Sequence, residues 1–146
     1  MKIDIKTDKN IKETEISITC KKITPEIDRI VSAAMIINKQ ITVKIKNETL
    51  LINLDQIYYI ESIDRKCFIY SRDTVYESKS KLYELEEQLK QYGFFRVSKS
   101  CLVNIDMIKS LKAEINRKIR ITLNNGEQLI CSRQYAENFK RIMGVK

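Results

Sequence analysis

The chain has 146 residues and a net charge of +8, a length that fits one domain or one domain with a small appendage. The longest uninterrupted apolar run covers residues 33–37, far fewer than the roughly 20 residues of a membrane span, and the alternating N-terminus lacks the apolar core of a signal peptide. We therefore expect a soluble, cytoplasmic protein.

The composition argues against catalysis and bound metals. The chain has no histidine, the usual general base near neutral pH, and only three glycines, too few for a loop that cradles nucleotide phosphates. Its four cysteines, at positions 20, 67, 101 and 131, form no CxxC pair and lie in or beside strand-like apolar stretches. We interpret them as small buried or half-buried hydrophobes, and we expect no cofactor, no metal and no enzymatic activity.

Nearly all of the excess positive charge lies in the last third of the chain. Residues 1–40 hold 8 basic and 6 acidic side chains, residues 41–90 hold 8 and 9, and residues 91–146 hold 11 and 4. This asymmetry favours a polyanionic partner, either nucleic acid or an anionic membrane surface, although a solvated basic face would give the same count.

Residues 1–40 are predicted to form a small αβ appendage, with a regulatory or oligomerisation role. The stretch Glu15 to Cys20 alternates polar and apolar side chains, as a half-buried strand does. Thr24-Pro25 then predicts the start of a helix, since threonine is a good N-cap and proline suits the first helical position. An apolar stripe follows at helical spacing, formed by Ile27, Ile30, Val31, Ala34 and Met35.

Residues 41–146 are predicted to form one mainly β (α+β) domain. Short alternating stretches predict strands, and Asn124-Asn125-Gly126-Glu127 predicts a tight hairpin, because Asn and Gly accept positive φ. Residues 80–92 predict a short central helix that Ser80 caps and Gly93 ends. Ser132 is predicted to cap a C-terminal helix that stops at Gly144.

Two basic residues stand at unusual places in this pattern. Ser98-Lys99-Ser100 interrupts an apolar run, which indicates a turn or bulge that exposes Lys99. Two hydroxyls beside a lysine suit an anion, and lysine can also donate to guanine in a major groove. Arg133 falls at the first position of the last helix, where a cation opposes the helix dipole unless an anion is bound there. An ordinary polar turn and a solvated arginine explain the same residues.

Other basic residues lie in predicted loops and strands. The linker Asp64-Arg65-Lys66 joins two strands, and Lys112, Arg117 and Lys118 lie further along the chain. Side chains of this kind contact phosphates without reading the base sequence.

Five segments, in this order and spacing, resemble the LytTR-type DNA-binding domain, over about residue 41 to the end of the chain. They are residues 55–62 (DQIYYIES), 81–89 (KLYELEEQL), 95–104 (FRVSKSCLVN), 123–127 (LNNGE) and 132–135 (SRQY). The resemblance implies antiparallel β-sheets with a short helix, and a bacterial transcriptional regulator whose loops enter successive major grooves and bend the duplex. The base-reading positions of the family match Lys66 with Cys67, Ser98 with Lys99, and Arg133.

The chain departs from the family pattern in two ways. Many members carry histidine at or beside the first two reading loops, where this chain has Cys67 and Ser98, so sequence preference is not transferable. Many members also carry a receiver domain, for which 40 preceding residues are too few. The chain resembles the small stand-alone members, which often lie beside membrane proteins that hold or release them.

Two functions compete at this point. The first is a sequence-specific regulator of double-stranded DNA, acting as a homodimer on repeated half-sites. Lys99, Arg133 and Lys66 would contact bases, and phosphates would be contacted by Arg65, Ser98, Ser100, Lys112, Arg117 and Lys118. The second is a non-catalytic RNA-binding module or an adaptor that docks a membrane partner.

Overall fold

The computed structural model describes residues 1–145. The helices in this part of the chain are α1 (Pro25–Ile37), α2 (Leu82–Leu89) and α3 (Arg133–Met143). The strands are β1 (Gln40–Ile45), β2 (Glu48–Asn53), β3 (Ile57–Ile63), β4 (Lys66–Ser71), β5 (Val75–Ser78), β6 (Phe94–Ser98), β7 (Cys101–Asn104), β8 (Ile108–Ala113), β9 (Ile119–Leu123) and β10 (Gln128–Cys131).

The strands form two antiparallel sheets, which confirms the predicted mainly β class. The larger sheet has the order β2-β1-β5-β4-β3-β7-β6, and the smaller has the order β10-β9-β8. The β1–β2 hairpin joins the larger sheet through a single residue pair, Lys44 with Glu77. Each other neighbouring pair of strands shares at least three residue pairs.

The central strands of the larger sheet separate two apolar cores. Ile60 on β3 packs into a first core with α1, α2 and the β1–β2 hairpin. Its neighbour Tyr59 packs into a second core with the smaller sheet and α3. Adjacent residues of a strand point to opposite faces, so β3 contributes to both cores. The molecule therefore has three layers, with the central strands in the middle.

The predicted helix ends agree closely with the structure. Thr24 accepts a hydrogen bond at Oγ1 from the Ile27 N–H, at 3.4 Å, and Pro25 is the first helical residue. Ser132 precedes α3, and Gly144 ends it with φ of +70°. The predicted cap of α2 was wrong by one residue. Lys81, not Ser80, is the N-cap. The Glu84 carboxylate accepts from the Lys81 N–H at 2.9 Å, so an acidic side chain satisfies this free backbone donor.

The β9–β10 hairpin forms at the predicted turn. Gly126 has φ of +89°, and the Asn125 side chain accepts from the Glu127 N–H at 3.0 Å. Gly93 also has φ of +89° and follows the short turn of 3-10 helix that extends α2. Both glycines therefore occupy positions where a side chain would strain the backbone.

The predicted strand at residues 15–20 is wrong. These residues are exposed and lie outside both sheets, as do all residues from 1 to 23. Alternation gives only a local preference, whereas a strand also requires a neighbour for its backbone hydrogen bonds. Cys20 is consequently exposed, contrary to its predicted burial, while Cys67, Cys101 and Cys131 are buried as predicted.

The helix of the appendage packs against the rest of the chain. Its stripe residues Ile27, Ile30 and Ala34 are half-buried, and Val31 is exposed. Ile36, which lies outside the predicted stripe, is buried in the first core. The division between residues 1–40 and 41–146 stays a prediction.

Candidate nucleic-acid interface

The first loop of the candidate interface is the two-residue turn between β3 and β4. Ile63 pairs with Lys66, so Asp64 and Arg65 alone form the connection. Both have positive φ, 50° and 68°, as the tightest hairpin turns require. Arg65 and Lys66 are exposed at this tip.

The second loop is the turn between β6 and β7, where Lys99 lies. Ser98 pairs with Cys101, and the register shifts between Arg96 and Ser98, so the predicted bulge and turn are both present. Lys99 is exposed, as predicted, whereas Ser98 and Ser100 are half-buried. The Ser98 hydroxyl accepts from the Ser100 N–H at 3.3 Å, which gives it a role within the turn itself.

The backbone joins these two turns at one end of the larger sheet. The Ser62 N–H donates to the Ser100 carbonyl at 2.8 Å, and Glu61 pairs with Cys101. Because β3 ends where β7 begins, Arg65 and Lys99 lie at the same end of neighbouring strands.

The third loop is Ser132, which connects β10 to the start of α3 and lies beside the β6–β7 turn. The Ser132 N–H donates to the Val97 carbonyl at 2.8 Å. Arg133, the next residue, is exposed at the first position of the helix. Lys99 and Arg133 are therefore near neighbours on the surface, although 34 positions separate them in the chain.

The fourth loop, residues 114–118, connects β8 to β9. The Glu114 N–H donates to the Lys118 carbonyl at 2.9 Å, and the Glu114 carboxylate pairs with Arg120 Nε at 2.8 Å. Ile119 then pairs with Cys131, the last residue before Ser132. This loop consequently lies beside the start of α3.

These four loops together form one surface, which we call the basic end. Its exposed cations are Arg65, Lys66, Lys99, Arg117, Lys118 and Arg133. Lys112 is also exposed and lies on β8 next to this end, paired with Arg120. All the predicted contact residues thus lie at or beside one end of the molecule.

The backbone at the basic end favours glycine, yet the sequence has arginine. Arg65 and Arg117 both have left-handed backbones, with φ of 68° and 62°. This conformation costs a residue with a side chain about 1–2 kcal/mol. Strain of this kind is found mainly where function requires a particular side chain. Lys39, Lys46, Asp64 and Asn116 have left-handed backbones too, so this conformation is not confined to the cations of the basic end.

Sequence reasoning missed Arg96, a partly buried residue that contacts the Lys99 turn. Arg96 has a side chain only 16% exposed, and its Nη2 lies 2.9 Å from Glu86 Oε1 on α2. Its Nη1 donates to the Lys99 carbonyl at 2.6 Å. A lone arginine within a strand was the available signal, but the partner on α2 is ten positions away.

Cys67 does not reach the surface. It is 2% exposed in the first core, and burial raises the pKa of its thiol. Of the reading position that the family resemblance matched to Cys67 and Lys66, only Lys66 is accessible to a partner.

Two further classes of site are absent from the described residues. Residues 1–145 contain no group of three or more Cys, Asp or Glu side chains placed to bind a metal ion. Within the same range, no helix is long and apolar enough to cross a membrane.

Comparisons with known proteins point to one family. Residues 47–144 match the family model of the LytTr DNA-binding domain. An uncharacterized HTH-type transcriptional regulator from Staphylococcus aureus strain bovine RF122 / ET3-1 is 29% identical over an alignment of 147 positions. The alignment covers 99% of this chain and 99% of the relative. Another protein of that name, from strain MSSA476, is 31% identical over 140 residues, covering 93% of this chain and 95% of the relative.

A solved structure supports the same fold. The LytTr DNA-binding domain of a methyl-accepting/DNA response regulator from Bacillus cereus superposes with a TM-score of 0.69 at 24% identity. The match covers 73% of this chain and 97% of that domain. At this identity the likeness concerns the fold alone.

Proposed function

Because the chain belongs to the LytTr DNA-binding domain family, we propose that it is a transcriptional regulator whose basic end binds double-stranded DNA in a sequence-specific manner. The Staphylococcus aureus relatives are named as transcriptional regulators, and the matches cover 99% and 95% of their length. This supports extending that role to this chain. We place the protein in the cytoplasm, where its target DNA would be.

The convergence of four loops carries this proposal. Their cations come from positions 65 to 133 and meet at one end only because the chain folds. A merely solvated basic protein would spread such charges over its surface, since like charges repel one another. Concentrating the cations at one end stabilises a complex with a polyanion more than it stabilises the free fold. The same holds for Arg65 and Arg117, whose strained turns cost the free fold stability.

We assign two kinds of contact within the basic end. Lys99, Arg133 and Lys66 lie at exposed tips and are proposed to donate to base edges, since lysine and arginine suit guanine O6 and N7. The remaining predicted residues are proposed to contact phosphates and so to set the register: Arg65, Ser98, Ser100, Lys112, Arg117 and Lys118. We propose that two copies bind repeated half-sites, each copy inserting its loops into successive major grooves.

Selection from random duplexes tests this function directly. The full chain should enrich a defined motif, and Lys99→Ala or Arg133→Ala should weaken binding to the selected duplex by about 1–3 kcal/mol and weaken binding to a shuffled duplex less. Filter binding measures both affinities.

Lys109→Ala is the matched control. Lys109 is exposed on β8 near its start, away from the basic end, and the change removes the same charge. Equal losses for Lys99→Ala and Lys109→Ala on both duplexes would contradict base reading, and no enriched motif would contradict the proposed function.

An RNA-binding module is the second candidate, and the basic end argues against it, because its four loops contain no aromatic residue and the exposed Tyr83 lies on α2. Single-stranded RNA is usually bound by exposed aromatic rings that stack on bases. Tyr59 and Tyr70 instead stack on each other, with centroids 4.3 Å apart, and Tyr59 is buried. A filter-binding comparison of duplex DNA with single-stranded RNA separates the two. An adaptor that docks a membrane partner would bind neither.

A further inference from the structure

Helix α2 is linked by hydrogen bonds to two of the four loops at the basic end, directly to one and through the Arg96 side chain to the other. At its start, Lys81 Nζ donates to the Arg65 carbonyl at 3.3 Å, in the β3–β4 turn. One turn and a half further on, Glu86 accepts from Arg96, which donates in turn to the Lys99 carbonyl. The helix end therefore contacts the backbone of the β3–β4 turn directly, and it is linked to the backbone of the β6–β7 turn through the Arg96 side chain.

The apolar stripe of α2, which lies beside Glu86 on the helix surface, is fixed in the first core. Leu82, Leu85 and Leu89 are 7%, 3% and 0% exposed. A side chain on such a helix has a well-defined position, because close packing restricts rotation and sliding. Glu86 is thus held by the core, and whatever it binds is held with respect to the core as well.

The Arg96 guanidinium suits a bridging role. It makes one charge-assisted bond to Glu86 Oε1 at 2.9 Å and one to the Lys99 carbonyl at 2.6 Å, from two different nitrogens. The planar group presents these donors at a fixed angle, whereas a lysine ammonium is a single point of charge on a flexible stem. The β6–β7 turn carries a bulge and is short, so this carbonyl contact limits how the turn can move.

We propose that α2 positions the β6–β7 turn, and with it Lys99, relative to the β3–β4 turn, through the Glu86–Arg96 bridge and the Lys81 contact. Arg96, Glu86 and Lys81 are positioning residues in this arrangement, and they need not touch DNA. The proposal rests on the proposed function, because the fixed spacing of the two turns serves the reading of a duplex. It adds the source of specificity: a spacing set by a helix outside the basic end.

Glu86→Ala and Glu87→Ala form a matched pair for the test. Both remove one negative charge from α2, but Glu87 is exposed and pairs only with Lys90 at the surface, at 3.0 Å. Electrostatics alone predicts tighter binding of any duplex by both variants. Positioning predicts that only Glu86→Ala lowers the ratio of affinities for the selected and shuffled duplexes, by about tenfold, the worth of one charge-assisted hydrogen bond.

Arg96→Lys separates geometry from charge. It keeps the positive charge, so a charge effect leaves the affinity ratio unchanged. Because one ammonium does not reproduce both guanidinium bonds, positioning predicts the same fall in the ratio as Glu86→Ala. A ratio that stays at the wild-type value in both Arg96→Lys and Glu86→Ala overturns the proposal.

Hydrogen exchange of the free protein provides a readout that does not depend on DNA. The Ser100 amide and its neighbours in the β6–β7 turn should exchange faster in Glu86→Ala than in the wild type or Glu87→Ala. Faster exchange in a protein that selects no duplex would leave the positioning intact and remove the proposed function. Unchanged exchange overturns the positioning, whatever the DNA result.

Discussion

Arg133 occupies the first position of α3, where its charge meets the positive end of the helix dipole. The preceding Ser132 makes no side-chain hydrogen bond to the helix start, and the first turn of α3 contains no acidic residue. A bound phosphate or base edge would remove the conflict. At the scale of single residues, affinity for DNA is therefore expected to oppose stability at this position.

Arg133→Glu tests this opposition. Replacing the cation by an anion should raise the free energy of unfolding by about 0.3–1 kcal/mol, because the helix dipole now favours the side chain. The same change should abolish binding to the selected duplex. Urea unfolding and filter binding measure the two effects. A variant that loses both stability and binding would show that Arg133 supports the fold instead.

The buried thiols predict how stability depends on pH. Burial raises the pKa of Cys101 to about 12 and that of Cys131 to about 11, from an ordinary value of 9.0 in the unfolded chain. Above pH 9 the unfolded chain releases protons that the folded chain retains. Each thiol should therefore lower the free energy of unfolding by up to about 1.4 kcal/mol per pH unit, until the folded pKa is reached.

Urea unfolding at pH 8 and pH 10 checks this expectation. The double variant Cys101→Ala, Cys131→Ala should lose less stability between the two pH values than the wild type. Cys20→Ala should behave as the wild type does, since Cys20 is exposed. Equal losses in the wild type and the double variant would contradict the assignment.

At the scale of elements, arginine in the turns of the basic end is expected to lower the free energy of unfolding while it increases affinity for DNA. Arg65→Gly and Arg117→Gly each relieve a left-handed backbone, and after the entropy that glycine adds to the unfolded chain, each should gain about 0.5–1 kcal/mol of stability. Each should also weaken binding to all duplexes alike. The slope of log affinity against log salt should fall by about 0.9 for each lost phosphate contact.

Asn116→Gly is the control for Arg117→Gly in the β8–β9 loop. Asn116 also has a left-handed backbone, with φ of 61°, but carries no charge. It should leave the salt slope unchanged. An unaltered slope in Arg65→Gly and Arg117→Gly as well would place those arginines outside the contact surface.

The elements differ in how far the sequence could predict them. The β9–β10 hairpin and α3 carry their own signals, a turn sequence and the end residues Ser132 and Gly144, and both form within the predicted bounds, although the Ser132 side chain makes no cap. Residues 15–20 carry equally clear alternation but lie in neither sheet, because pairing depends on a neighbour that periodicity does not identify. The bridge from Glu86 through Arg96 to Lys99 depends on α2 packing across β6, which no local pattern encodes.

For the whole molecule, the segment before α1 is expected to contribute little to folding. Residues 1–23 are exposed, and Ile3, Ile5 and Ile16 are 80%, 85% and 70% exposed. A chain that begins at Thr24 should keep its free energy of unfolding within about 0.5 kcal/mol, the range of surface changes.

The same shortened chain tests whether residues 1–23 of the appendage contribute to oligomerisation, and a chain that begins near Ile41 tests the apolar stripe of α1 in the same way. If the exposed isoleucines pack against a second copy, sedimentation should give a dimer for the intact chain and a monomer for the shortened one. An equal mass for both chains would exclude residues 1–23 as the contact between copies. A large loss of stability would show that the segment packs on its own chain.

The candidate site illustrates the limit of sequence reasoning at this scale. Lys99 and Arg133 could be selected from the sequence, since each breaks a local rule. Their proximity depends on the docking of α3 on β6, where the Ser132 N–H donates to the Val97 carbonyl and Val97 shares the second core with Ala136 and Phe139. Only the folded backbone decides which loops meet.

The position of Arg133 on the last helix links duplex binding to how firmly that helix is docked. When α3 detaches from the second core, the proposed base contacts lose Arg133, while Lys99 and Lys66 remain on the larger sheet. A duplex that requires all three must by linkage favour the docked helix, by an amount that grows with the logarithm of duplex concentration. Saturating DNA should therefore protect the amides of Ala136 and Phe139 against local opening.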